Sequence, residues 1–228
     1  LAIDFAIHGP KKPKTLVVTG RTQKKIDMAA RLYTVEEAKK NGVKLVYVNT
    51  RDIVDVNKEL RKYSEKGFDD VFIFAPNEEM VTYGVKMLAF DGCLNFFSGP
   101  ADQEFSSRVN FYNIHYNSTH FVGTSGGNTE DMKQSIELIE NKTVNVAKIA
   151  THILGLDHAV ETTKALPELE GSKKIVYTHK KFPLTEVDKF DENSDDKYIR
   201  ELKSIVERNG NLWSGEAERY FIQNAPEI

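Results

Sequence analysis

Residues 15–26 read TLVVTGRTQKKI. Thr15 to Thr19 is a short β-branched run of the kind that fills a buried parallel strand, and Gly20 stops it. Gln23 opens a helical pattern to Lys40, with Ile26, Ala29, Ala30, Tyr33 and Ala38 on one side and Gly42 as its stop. A strand that ends on glycine and turns into a helix is the repeating half of a βα unit. The same alternation recurs downstream. VKLVYV (43–48) is a second strand, 52–66 a helix stopped by Gly67, and DVFIFA (70–75) a third strand halted by Pro76. Asn77 is a helix N-cap for a segment through Phe90. GCLNFFS (92–98) is a fourth strand broken by Gly99-Pro100, and THFVGT (119–124) a fifth before Ser125-Gly126-Gly127. Strands alternating with helices through short connections predict an α/β, doubly wound parallel sheet.

Past residue 128 the rhythm changes. Residues 128–141 read as a helix with Met132, Ile136 and Ile139 inward. A strand at 149–154, a helix at 157–166 and a last strand at 174–178 follow. The polar, acidic stretch 183–197 reads as a linker, and the tail from Tyr198 to Gln223 as two helices split by Asn209-Gly210-Asn211. Trp213, Tyr220 and Phe221 are expected to pack that tail back on the body.

The composition sets bounds. The 228 residues are 40% hydrophobic and 29% charged with a formal net charge of −3, which is a globular balance with no nucleic-acid or membrane signature. Cys93 is the single cysteine, so neither a disulfide framework nor a Cys-rich zinc site is expected from this chain. No apolar run reaches the roughly 18 residues of a membrane span, and the opening LAIDFAIHGP lacks the basic start of a secretion leader. A cytoplasmic setting is therefore expected.

In open α/β sheets ligands bind beyond the carboxyl ends of the strands. Here those ends are Gly20-Arg21, Asn49-Thr50, Ala75-Pro76, Ser98-Gly99 and Thr124-Ser125. An acid at the tip of the TLVVT strand would grip a ribose 2′-hydroxyl and repel a 2′-phosphate. This tip has Gly20, Arg21 and Thr22 instead, with Lys24 and Lys25 close behind. Arginine offers a planar, bidentate phosphate grip. The tip favours NADP(H) over NAD(H); a solvated basic turn with no ligand is the plain alternative.

GFDDVFIFAP (67–76), DGCLNFFSGP (91–100) and NFYNIHYNSTHFVGTSGGNTEDM (110–132) together resemble the medium-chain, zinc-type alcohol dehydrogenase superfamily, in its sorbitol dehydrogenase-like or L-sorbose 1-phosphate reductase branch. THILGLDHAVETTKALPELEGSKKIVY (151–177) resembles that superfamily's closing segment. The resemblance implies a Rossmann domain set into a GroES-like catalytic domain. It implies residues 1–145 as the nucleotide-binding domain, 146–182 as the end of the catalytic domain and 183–228 as a helical tail. The first Rossmann strand and the glycine turn would then lie upstream of residue 1. Without that central strand two apolar sheet edges lie open.

The resemblance also implies hydride transfer between NADP(H) and a polyol, ketose or sugar phosphate, at a zinc held by residues outside this chain. A non-catalytic nucleotide- or sugar-phosphate-binding domain is the alternative. The implied cofactor contacts are Gly20, Arg21, Thr22, Lys25, Thr50, Ala75, Pro76, Phe97, Ser98, Gly99, Thr124, Ser125 and Lys173. No residue of the chain is assigned to catalysis or to a metal. His115 and His120 lack a zinc spacing and read as packed or surface histidines. A small-molecule substrate is expected, with no nucleic acid and no membrane. The resemblance also implies a strand paired across a two-fold axis, which places a homo-oligomer contact near Val109 to His115; a self-contained loop there is the alternative.

Overall fold

The computed structural model describes residues 1–191 and 193–228. They form two compact units, one of residues 6–138 and one of residues 1–5 with 139–228. The first helix, α1 (Ala2–His8), contributes to both along the chain.

In the first unit, β1 (Thr15–Gly20) leads to α2 (Gln23–Leu32), α3 (Val35–Lys40) and β2 (Lys44–Asn49). The helix expected over 23–40 is thus two helices. The cause is local: Thr34 is extended, and its hydroxyl accepts the Glu37 N–H at 3.1 Å, so it caps a new helix instead of continuing the old one. β1 and β2 pair in parallel from Thr15↔Lys44 to Gly20↔Asn49. Ile26, Ala38, Leu45 and Val48 are buried in this layer, and the Tyr47 hydroxyl bonds the carbonyls of Ala29 and Tyr33 at 3.1 and 2.8 Å.

The helix α4 covers Val56–Arg61, shorter than the expected 52–66. Asp55, with a non-helical backbone, accepts the Lys58 N–H at 2.9 Å, which fixes the start. Gly67, at φ +97°, turns the chain into β3 (Phe68–Ile73). A Cβ there would lie 2.7 Å from the Met87 carbonyl oxygen, so only glycine fits.

Asn77 caps α5 (Glu78–Lys86), as its sequence position implies, by accepting the Met80 N–H at 3.0 Å. The helix buries Val81 and Val85 against Ile73 and Leu94. Gly84 lets it approach, since a Cβ there would sit 3.1 Å from the Ile73 and Leu94 side chains. The strand β4 (Leu88–Phe96) begins earlier than Gly92, because the chain pairs through an irregularity in which Asp91 takes φ +59°. It lies between β3 and β5 (His120–Gly123), all parallel, with Phe72↔Asn95↔Val122 in register.

Two expectations fail here. Residues 111–116 form a helix, α6 (Phe111–Tyr116), capped by Asn110, and not the strand expected near Val109 to His115. Asn110 is the reason: its side chain accepts the Tyr112 N–H at 2.9 Å and starts a helical turn. The helix α7 (Thr129–Glu140) forms as expected, but Met132, Ile136 and Ile139 are exposed and not inward. Its apolar stripe has the right period and no partner surface among the described residues.

The second unit carries β6 (Ala150–Gly155), α8 (Ala159–Ala165), β7 (Lys173–Tyr177), β8 (Thr185–Glu186), α9 (Lys197–Arg208) and α10 (Gly215–Asn224). β6 is central, parallel to β7 and antiparallel to β8. The stretch read as a linker therefore supplies a strand, and buries Val187 and Phe190. Its acidic residues hide two apolar ones at the spacing that faces the core. The split tail forms as read: Trp213 and Phe221 are buried with Tyr177, Phe182 and Leu202.

Candidate functional site

The strand tips are built by backbone pairing. The Gly20 carbonyl accepts the Thr50 N–H at 2.8 Å and the Thr50 hydroxyl at 3.4 Å, so the ends of β1 and β2 are tied together. Arg21 projects beyond that knot with half its side chain exposed. Thr22 stands at the N-cap of α2 in extended conformation, yet its hydroxyl makes no capping bond. Thr34, Asn77 and Ser214 all do cap their helices. The first turn of α2 thus has no side-chain cap: its Lys25 and Ile26 N–H groups bond the Thr22 carbonyl at 3.1 and 3.2 Å, and the Thr22 hydroxyl takes no part. An uncapped helix start with a lysine on its first turn presents positive potential that suits an oxyanion.

The second group sits on the other sheet. The Phe97 N–H bonds the Ile73 carbonyl at 3.0 Å, which carries the β3 and β4 ends forward together. Phe74 and Phe97 meet edge to face at 5.9 Å. Phe96 is in register with Gly123, so Phe97-Ser98-Gly99 and Thr124-Ser125 leave the sheet side by side. Nothing lies within 4 Å of where a Gly99 Cβ would be, so this end is open. Ala75 and Pro76 complete the row.

Two sets of expected residues are therefore brought together: Gly20, Arg21, Thr22, Lys25 and Thr50 on one sheet, and Ala75, Pro76, Phe97, Ser98, Gly99, Thr124 and Ser125 on the other. An ion pair links the first set to α5, the helix that follows Pro76. Arg21 Nη1 lies 4.0 Å from Glu79 Oε2 in the first turn of α5. The other Glu79 oxygen accepts the Tyr83 hydroxyl at 2.7 Å, and that bond is the main cause holding the Tyr83 phenol above its usual pKa. Sequence reading missed Glu79 and Tyr83. Their only sequence signal is the i, i+4 spacing on a helix that follows a strand end.

A groove of about 830 Å³ opens along α5, walled by Pro76, Glu78, Tyr83, Phe105 and Arg108. The loop bearing Arg108 is pinned there: the Ser107 hydroxyl lies 3.1 Å from both the Glu78 carbonyl and the Thr82 hydroxyl. Lys173 belongs to the second unit, where it opens β7 and its carbonyl accepts the Thr151 hydroxyl at 3.3 Å.

The histidines read as packed or surface residues take such places. His120 is half exposed and lies 2.9 Å from the Asp91 carboxylate. His115 stacks edge-on against Tyr116 at 4.6 Å. Among the described residues no group of three or more His, Cys, Asp or Glu is placed to hold a metal ion. The described residues thus do not fit a catalytic zinc. No helix among them is long and apolar enough to cross a membrane.

The family described as zinc-binding dehydrogenase matches residues 15–141. The chain is 45% identical over 228 residues to L-sorbose 1-phosphate reductase of Klebsiella pneumoniae, covering all of this chain and 53% of that protein. It is 40% identical over 224 residues to mannitol-1-phosphate 5-dehydrogenase of Aliivibrio fischeri, covering 97% of this chain and 53% of that one. The crystal structure of 2R,3R-butanediol dehydrogenase from Bacillus subtilis superposes with a TM-score of 0.59 at 14% identity, over 76% of this chain and 46% of that one. The likeness in structure shows the Rossmann-type fold. The chain spans about half the length of the curated relatives it matches.

Proposed function

The chain belongs to the zinc-binding dehydrogenase family, and from that premise we propose that it is the cofactor-binding part of an oxidoreductase that moves a hydride between NADP(H) and a polyol, ketose or sugar phosphate. The observation that carries the proposal is the β1 tip. Gly20 stands where an acid would repel a 2′-phosphate, and Arg21 extends from it beside the uncapped first turn of α2. Arg21 and Lys25 supply charge, and Thr22 supplies a hydroxyl. The substrate class follows the names of the two sugar- and polyol-phosphate relatives.

In this reading the chain's own residues bind and orient. Ala75, Pro76, Ser98, Gly99, Thr124 and Ser125 form a low rim of small side chains and backbone groups, which lets a flat ring lie against the sheet end. Lys173 is read as a further phosphate contact. Bound nicotinamide gives or takes the hydride. We place the zinc ligands outside these 228 residues. Residues 1–145 are read as the nucleotide-binding domain, 146–182 as the close of a GroES-like domain and 183–228 as its helical tail. The setting is read as cytoplasmic, and the protein as a homo-oligomer joined by something other than a strand at 109–115.

The test is titration of the natural full-length protein and its Arg21→Ala variant with NADPH and NADH. The proposal expects NADPH to bind more tightly, and the variant to lose roughly tenfold or more in NADPH affinity with little change for NADH. Equal binding of both nucleotides by both proteins would sink it.

A further inference from the structure

We infer that Glu79, reaching in from α5, supplies the negative charge that the β1 tip lacks, and so holds the preference for NADP(H) below what Arg21 alone would give. The inference rests on the cofactor reading above and deepens it. The acid absent from position 20 is present in space. Glu79 Oε2 is 4.0 Å from the Arg21 guanidinium, so any phosphate that Arg21 grips must also sit near this carboxylate. Its other oxygen accepts the Tyr83 hydroxyl at 2.7 Å, which favours this orientation of the carboxylate.

Two features separate this from ordinary helix chemistry. The cap of α5 is already Asn77, so Glu79 is not needed to start the helix. Glu78, its neighbour in the same first turn, has no ion pair among the described residues, while Glu79 is aimed at the β1 tip. The Arg21–Glu79 pair is more than half exposed on both sides. An exposed pair of this kind contributes little to stability. Its effect falls instead on the ligand. A 2′-phosphate carries close to two negative charges and is repelled by Glu79. The 2′-hydroxyl of NADH is neutral and is not.

The experiment compares wild type with Glu79→Gln, Glu78→Gln and Tyr83→Phe in the full-length protein, each titrated with NADPH and NADH at low ionic strength. Glu79→Gln is expected to tighten NADPH by roughly three- to tenfold while NADH stays within about twofold. Raising the salt should shrink that gain. Tyr83→Phe loosens the carboxylate and is expected to give a smaller shift in the same direction. Glu78→Gln is the control and should leave the ratio unchanged. The inference is overturned if Glu79→Gln leaves the NADPH-to-NADH ratio unchanged or weakens NADPH, or if Glu78→Gln shifts the ratio as far. A wild-type protein that binds neither nucleotide overturns the cofactor reading itself, and this inference with it.

Discussion

The two units spend their aromatic residues in opposite ways. In the second, Tyr177, Phe182, Phe190, Trp213 and Phe221 close on one another, with ring centroids 4.8 to 6.4 Å apart and every ring buried. The polar atoms inside are matched. The Trp213 indole N–H donates to the Tyr177 hydroxyl at 2.7 Å, which donates in turn to Glu218 at 2.7 Å. In the first unit Phe72, Phe74 and Phe97 also touch, but each is more than half exposed. β1 pairs only with β2, and β3 only with β4, so each of these strands has one edge unpaired among the described residues. Contact between rings is therefore not the same as a core. Burial on all sides makes one; a row of rings along an open sheet face does not.

Four substitutions and titrations probe that difference. Trp213→Ala should be the most damaging, at about 3–5 kcal/mol, because it opens a cavity and frees the Tyr177 hydroxyl at once. Denaturant unfolding followed by circular dichroism measures it. Tyr177→Phe should cost about 1–2 kcal/mol in the same assay, since it leaves the Trp213 N–H and Glu218 without their partner. Phe74→Ser, the matching aromatic loss in the first unit, should cost no more than about 0.5 kcal/mol. A loss near that of Trp213→Ala would break the comparison.

The fourth concerns pH. His152 is buried in β6, and its pKa is lowered below the usual 6.5, first by burial and then by the nearby Lys174. In the unfolded chain it protonates near 6.5, and in the folded one only at lower pH. Its contribution is thus present above about 6.5 and is lost as pH falls from there toward the folded value. Unfolding of the second unit should become easier over that window, and His152→Gln should flatten the slope. An unchanged slope would assign the pH response to other groups.

The β1 tip shows how much of the site was legible. Gly20, Arg21 and Thr50 could be placed because a strand end is a local event, marked by glycine or a polar residue after a β-branched run. The knot between Gly20 and Thr50 follows from parallel register. Glu79 could not be placed, because nothing in its neighbourhood on the chain connects it with residue 21. The strand expected at 109–115 rested on the resemblance, with which its aromatic, alternating residues are compatible; a local cause decided otherwise, since the Asn110 side chain began a helix.

The amino-acid sequence by itself determined the α/β alternation, the cap at Asn77, the glycine stops and the basic tip of β1, since each depends on backbone conformations and hydrogen bonds within a few residues. Only the tertiary structure decided which apolar residues are buried, and which charges meet. Met132, Ile136 and Ile139 have a core helix's spacing and stand exposed; Val187 and Phe190 lie in an acidic stretch and are buried. Periodicity marks a face as apolar, but burial needs a second surface to cover it. The pairing of Arg21 with Glu79 likewise arises from segments 58 residues apart in the sequence, which only the fold brings within 4.0 Å.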